Sequence, residues 1–242
     1  MTKKDEKLYF SKIGQTGVDF TLNKPFSDPE NLGSLLSDMA AIFSLMPKTP
    51  VEVADLGCGS GWTSNFYALA GHKVTGIDIS KPAIDAANGF FKRENLTFVC
   101  SDFDKMKFRD KFDVAIFSDS LHHTDDESET LKSVYSILKP GGMIIICEPG
   151  TGHSKSVSSI EAKKIYSVTE RDMPPKLSKK ALKNSGFKNI KSYAHPARLH
   201  RVNYKQFSNN KKILNHTVPR TALSLAFSSF MKNNHGIVTA SK

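Results

Sequence analysis

The sequence predicts one α/β fold built on a mainly parallel β-sheet. Three observations carry that. Strand-like segments alternate with helical ones from residue 51 to residue 150. Two of the strands, FDVAIFSDS (112–120) and GMIIICEPG (142–150), have the apolar runs of strands buried on both faces. No linker is long enough to divide the chain of 242 residues.

Each element follows from its residues. In residues 1–50, Tyr9, Phe10, Phe20 and Phe26 alternate with polar residues, and Pro25 and Pro29 break any long helix. Leu32, Leu35, Leu36, Met39, Ala40 and Phe43 then recur at helical spacing, and Pro47 and Pro50 end that helix. VEVADLG (51–57) is a strand running into glycines. Residues 62–70 form a helix closed by Gly71, and KVTGIDIS (73–80) is a strand. Residues 81–92 form a helix capped by Ser80, with Pro82 in its first turn. LTFVCSD (96–102) is a strand, 112–120 another, 127–138 a helix and 142–150 the most apolar strand. Beyond Gly150 come helical tendencies at 157–166 and 176–185, stopped by Gly186, and a strand over 187–199. An amphipathic helix over 218–232 and a strand at 236–242 follow.

A composition of 39% hydrophobic and 24% charged residues supports a real core and excludes disorder as the main state. No apolar run reaches the ~18 residues a membrane span needs. Cys58, Cys100 and Cys147 are too widely spaced for a disulfide framework or a zinc knuckle. With no apolar stretch after MTKKDEKLYF, they predict a cytoplasmic protein with reduced thiols and no metal site. The net charge of +10 is unevenly held. Residues 1–150 carry 16 Lys+Arg against 21 Asp+Glu; residues 151–242 carry 18 against 3. Such polarity favours an anionic substrate, nucleic acid or an anionic membrane surface.

The sharpest feature is Asp55-Leu56-Gly57-Cys58-Gly59-Ser60-Gly61. Glycines let the chain turn with positive φ and let a ligand approach the backbone, and the following helix start offers N–H groups. Asp78 ends the second strand, where a carboxylate accepts from two ribose hydroxyls. Asp102 follows the third strand, where it can accept from an exocyclic amine. With Ser101-Asp102-Phe103, FDVAIFSDSLHH (112–123) and LKPGGMIIICEP (138–149), these residues resemble the successive motifs of class I S-adenosylmethionine-dependent methyltransferases. A dinucleotide-binding alternative fits less well, because its third glycine would stand one residue later.

The resemblance implies a Rossmann-like, doubly wound, seven-stranded sheet, mostly parallel with an antiparallel seventh strand. Residues 51–242 would form the methyltransferase domain, with its motif core at 51–150 and a basic portion at 151–242. Residues 1–50 would be an N-terminal helical cap, with Tyr9, Phe10 and Phe26, folded over the cofactor cleft. It implies S-adenosyl-L-methionine as cofactor. Asp55 and the turn Gly57, Cys58, Gly59 and Gly61 would hold its methionine end. Asp78, with Ile79 beside it, would take the ribose. Asp102 would take the adenine amine, the Phe103 backbone a ring nitrogen, and the Ser118 carbonyl the amino group.

On the acceptor side, His122 and His123 follow the fourth strand beside the expected transfer site. An imidazole near its ordinary pKa suits a general base for a hydroxyl acceptor. The family position matches His122 better than His123. Glu148 and His153 flank the end of the fifth strand, an edge that by the resemblance would border the acceptor pocket. His195, Arg198, His200 and Arg201, with Lys211, Lys212 and Arg220, form a basic cluster suited to an anion. Together these point to methyl transfer to an oxygen of a small phosphorylated or nucleotide-linked acceptor, such as a saccharide precursor. The alternatives are RNA methylation and a non-catalytic binding protein. RNA is disfavoured because the chain has no RNA-binding module, and Ser118-Asp119-Ser120-Leu121 stands where an amine-methylating motif would.

Overall fold

The structure is a computed structural model that describes residues 3–194 and 236–242. Seven strands form one sheet: β1 (Glu52–Leu56), β2 (Lys73–Asp78), β3 (Leu96–Cys100), β4 (Phe112–Ser118), β5 (Leu138–Glu148), β6 (Lys188–Ala194) and β7 (Gly236–Ser241). Their order is β3-β2-β1-β4-β5-β7-β6. The strands from β1 to β5 pair in parallel, and β7 runs antiparallel to both β5 and β6. The order reverses between β1 and β4, where open α/β sheets bind ligands at the carboxyl ends of their strands.

The helices are α1 (Lys3–Lys12), α2 (Gly14–Leu22), α3 (Leu32–Leu45), α4 (Trp62–Leu69), α5 (Lys81–Phe90), α6 (Glu127–Ile137), α7 (Val157–Tyr166) and α8 (Pro175–Asn184). Strand β4 shows why its run is apolar throughout. Ala115 and Phe117 join a core with Leu131, Val134 and Ile137 of α6 and Leu182 of α8. Val114 and Ile116 join the opposite core, with Met39 and Ile42 of α3 and Tyr67 of α4. Successive side chains of a strand point to opposite faces, so both faces need apolar residues.

Local chemistry sets the ends of the elements. The Asp126 carboxylate accepts from the Ser128 and Glu129 N–H groups at 2.8 and 3.1 Å and caps α6. Ser156 caps α7 through the Ser159 N–H. Ser80 does not cap α5. Its hydroxyl donates to the Lys7 carbonyl at 3.3 Å, across to α1. Strand β5 starts at Leu138, earlier than its apolar run, with a register irregularity between Phe112 and Val114 of β4.

Helices α1 and α2 have no clear apolar periodicity in the sequence. Distant partners hold α1 instead. The Lys3 ammonium pairs with Asp102 at 2.9 Å, Glu6 accepts from the Thr169 N–H at 2.7 Å, and Lys12 donates to the Tyr166 carbonyl at 2.7 Å. The predicted helix at 218–232, the end of the predicted strand at 195–199, and His195, Arg198, His200, Arg201, Lys211, Lys212 and Arg220 lie outside the described residues.

Candidate active site

A cavity of about 340 Å³ lies at the carboxyl ends of β1, β2 and β4, beneath α1. That volume falls in the ~300–1,000 Å³ range of small-molecule sites. Gly57, Cys58, Gly59, Asp78, Ile79, Asp102, Phe103 and Ser118 all line it. Of the ten positions expected at a cofactor, only Asp55 and Gly61 are not on its wall.

The turn after β1 needs its glycines. Gly57 and Gly61 have φ of +73° and +89°. A Cβ on Gly57 would lie 2.5 Å from Ser120 Cβ, and one on Gly61 2.5 Å from the Phe98 ring. Gly61 thus works from behind the wall, packing the first turn of α4 against β3. The Phe10 ring of α1 closes over Gly59 from the other side.

Asp78 is half-buried on the wall. Its Oδ1 accepts from the Ser80 N–H at 2.8 Å and its Oδ2 from the Gly59 N–H at 2.9 Å. Each carboxylate oxygen has two lone pairs, so one on each remains for a ligand hydroxyl. Burial raises its pKa, against these two donors. Asp102 is gripped by Lys3, which also pairs with Asp104. Burial would raise the Asp102 carboxyl, but Lys3 and the Asp104 N–H hold it below its ordinary value.

Asp55 sits behind the turn, 1% exposed, and its Oδ2 accepts from Thr63 Oγ1 at 2.7 Å and Ser64 Oγ at 2.5 Å. It braces α4 against β1 and does not reach the cavity. Burial pushes its carboxyl up to about 6, against those two hydroxyls. A carboxyl with a raised folded pKa binds its proton more tightly in the folded chain, so ionising it costs stability. That cost begins near the unfolded value of 3.8 and is complete above about 6. It amounts to roughly 3 kcal/mol at 1.36 kcal/mol per pKa unit. Asp55→Asn should therefore gain on the wild type by up to about that amount as pH rises across this window. Urea unfolding at a series of pH values checks it; a pH-independent difference refutes it.

The loop after β4 is organised by Glu148. This carboxylate, 3% exposed, accepts from the Ser120, Leu121 and His122 N–H groups at 2.9, 2.8 and 3.3 Å. It also meets His122 Nδ1 at 2.7 Å. Glu148 is thus consumed in folding the loop and does not line the cavity. Arg171 clamps the same loop from outside, donating to the His122 and Thr124 carbonyls at 3.1 and 2.5 Å and pairing with Glu127.

His122 is likewise not on the cavity wall. It is 1% exposed, with Glu148 on Nδ1 and Glu170 3.6 Å from Nε2. Burial lowers its pKa, but the two carboxylates outweigh burial and raise it to about 10. A proton held that firmly makes it a poor general base near neutral pH. The expectation of an imidazole near its ordinary pKa fails here because the sequence did not reveal two carboxylates around it. His123 stacks on His122 with ring centroids 4.0 Å apart and does line the cavity. Its Nδ1 is buried without a hydrogen-bond partner, 3.7 Å from Glu6 Oε1. His153 stands off the cavity wall and holds Glu170 Oε2 at 2.6 Å.

Glu170 and Glu6 are two of the wall residues that sequence reasoning missed. Glu170 follows β5 by more than twenty residues in a segment without a motif, and Glu6 sits in a charged N-terminal run. No local pattern marks either. Burial would raise the Glu170 carboxyl, but His122 and His153 hold it far below its ordinary value. The described part of the wall is acidic, with Glu6, Asp38, Asp78, Asp102, Asp119 and Glu170 against Lys3 and Lys24.

Sheet order, glycine turn and strand-end acids together define the class I methyltransferase fold. Residues 54–146 match the family model described as a methyltransferase domain. Over 96 residues the chain is 33% identical to a ubiquinone biosynthesis O-methyltransferase of Coxiella burnetii, covering 38% of this chain and 41% of that protein. Over 106 residues it is 28% identical to a malonyl-[acyl-carrier protein] O-methyltransferase of Pseudescherichia vulneris, covering 43% and 41%. The chain thus spans about two fifths of the length of these curated relatives. Among solved structures it is similar to phosphoethanolamine N-methyltransferase 2 of Haemonchus contortus in complex with S-adenosyl-L-methionine. The TM-score is 0.67 at 20% identity, covering 100% of this chain and 60% of that one. No helix among the described residues is long and apolar enough to cross a membrane.

Proposed function

We propose that this chain is an S-adenosylmethionine-dependent methyltransferase that methylates an oxygen of a small molecule. The observation that carries the reading is the convergence of the Gly57–Gly61 turn, Asp78 and Asp102 on one cavity. The residues fit the cofactor. Asp78 keeps a lone pair on each oxygen for ribose hydroxyls, the turn brings bare backbone to the wall, and an acidic lining suits a cation. The cofactor, when bound, supplies an activated methyl group on a sulfonium. Asp78 and the turn orient it, while α1, with Phe10 and Tyr9 on the wall, excludes water.

The O-methyltransferases among the relatives support an oxygen acceptor. His123 supports it too, as the imidazole facing the acceptor space. The acidic wall supports an acceptor that is neutral or cationic at its reacting end. The phosphorylated or nucleotide-linked acceptor rests on the basic residues of 151–242, many of which lie outside the described part.

Calorimetry with S-adenosylmethionine is the first test. Micromolar binding is expected, and Asp78→Asn should weaken it about 100-fold, since hydrogen bonds to a charged acceptor are worth ~1.5–3 kcal/mol each. Absence of binding to the wild type overturns the reading in favour of a binding protein. A labelled-methyl screen over phenols, carboxylic acids, nucleotide sugars and RNA then identifies the acceptor. RNA methylation is retained only if transfer to tRNA dominates.

A further inference from the structure

The cluster behind the acceptor space has a composition that methyl transfer does not require. His122, His123 and Glu170 each offer a ligand atom, and these atoms all lie within 4.8 Å of one another. We propose that they form a two-histidine, one-carboxylate site for a divalent first-row transition cation, open towards the cavity. The site deepens the proposed function by naming what would face the acceptor oxygen, and its occupancy can be measured without any methyl transfer.

Four features support it. The first is distance. His122 Nε2 lies 3.6 Å from Glu170 Oε2. Two donors ~2.1 Å from one tetrahedral metal stand roughly 3.4 Å apart, so a cation could bridge this pair with little movement. The second is the outer layer. A metal-bound histidine usually donates its other ring N–H to a carboxylate, which fixes the ring and the tautomer. His122 Nδ1 meets Glu148 at 2.7 Å, and Glu148 is itself locked by three backbone N–H groups, so on binding a cation His122 would release its Nε2 proton to solvent and keep its Nδ1 proton for Glu148. Glu170 is steadied in the same way by His153 at 2.6 Å and Ser159 Oγ at 3.2 Å.

The third feature is an unspent donor. His123 Nδ1 is buried with no hydrogen-bond partner, the Glu6 carboxylate standing 3.7 Å away, beyond hydrogen-bond reach. The fourth is access. His123 and Glu170 line the cavity while His122 closes the back, so a cation would keep an open position on the acceptor side. Catalytic zinc sites have this arrangement, with three protein ligands and one exchangeable position. Imidazole and carboxylate donors suit zinc, iron, cobalt or nickel rather than calcium or magnesium. The charges fit as well, since Glu170 as ligand and Glu148 behind His122 balance a dication.

The test is calorimetry of the full chain, stripped of metal, with Zn²⁺, together with the visible spectrum of its Co²⁺ form. One saturable Zn²⁺ site at micromolar or tighter affinity is expected, and Co²⁺ should give the strong absorption of a low-coordinate site. Glu170→Gln and His123→Ala should each weaken binding more than 100-fold. Glu148→Gln, which touches only the outer layer, should weaken it about 10–100-fold. Asp119→Asn should leave it unchanged; Asp119 belongs to an alternative grouping with His122 and His153. No saturable binding overturns the proposal, and so does binding that survives both Glu170→Gln and His123→Ala. Sensitivity to Asp119 and His153 instead of Glu170 and His123 assigns the metal to the other grouping and also overturns it. Cofactor calorimetry on the metal-free chain is read separately. If it fails while Zn²⁺ binds, the methyltransferase reading falls and the metal site stands.

Discussion

Replacing Glu148 with alanine should destabilise the protein by about 3–5 kcal/mol, the cost of removing one partner from a buried charge pair. The side chain is 3% exposed and serves four donors at once. Its loss leaves the Ser120, Leu121 and His122 N–H groups in a dry loop without their acceptor. It also removes the carboxylate nearest His122, leaving Glu170 at 3.6 Å and Asp119 at 3.9 Å. Buried donors without partners cost about 1–3 kcal/mol each, and water entering the space can recover part of that. Glu148→Gln keeps an oxygen for the backbone groups but gives up the charge, so its loss should fall between alanine and wild type. Urea unfolding measures all three. An alanine variant within about 1 kcal/mol of wild type would show that the carboxylate does not organise this loop.

Gly61→Ala should cost about 2–5 kcal/mol and loosen the cofactor turn. Its φ of +89° lies outside the comfortable range of an L-residue, a penalty of ~1–2 kcal/mol. The new Cβ would also stand 2.5 Å from two atoms of the Phe98 ring and 3.2 Å from Ala87 Cβ. Overpacking of that kind adds ~1–3 kcal/mol. Relief would come from moving α4 away from β3, which drags the Gly57–Gly61 backbone with it. A melting temperature lowered by several degrees and a weaker cofactor isotherm are the expected pair of results. Gly33→Ala is the matched control. Gly33 lies in α3 with nothing within 4 Å of a built Cβ, so alanine there should be neutral or stabilising by up to ~1 kcal/mol. Equal losses at the two positions would remove the steric argument.

Most of the sheet was legible because its signals are local. Glycines, prolines and caps punctuate the chain, and runs such as Val114–Phe117 can only be central strands. The cavity wall at the strand ends was legible for a related reason. Asp78, Asp102 and Ser118 stand at or just beyond strand ends, and parallel topology brings all strand ends to one edge. The acceptor side was not legible. Position placed a base at His122, a border residue at Glu148 and another at His153, yet all three turned away from the cavity. What displaced them was the pairing of Glu148 with His122 across β4 and β5, and of Glu170 with His153 across more than a turn of later chain. Ser80 failed as a cap in the same way, its hydroxyl drawn to α1.

The amino-acid order by itself determined which segments are strands, which way they run, and where the glycine turn and its acids fall along them. Periodicity and backbone permissiveness act over a few residues, so they can be read in one dimension. Only the tertiary structure decided which ionisable groups share a buried space. The charge of His122, the exposure of His123 and the arrival of Glu6 and Glu170 at the wall depend on low-dielectric contacts between residues 26 to 163 positions apart. Electrostatic energy in such a space depends on separation in ångströms, and sequence distance carries no record of it.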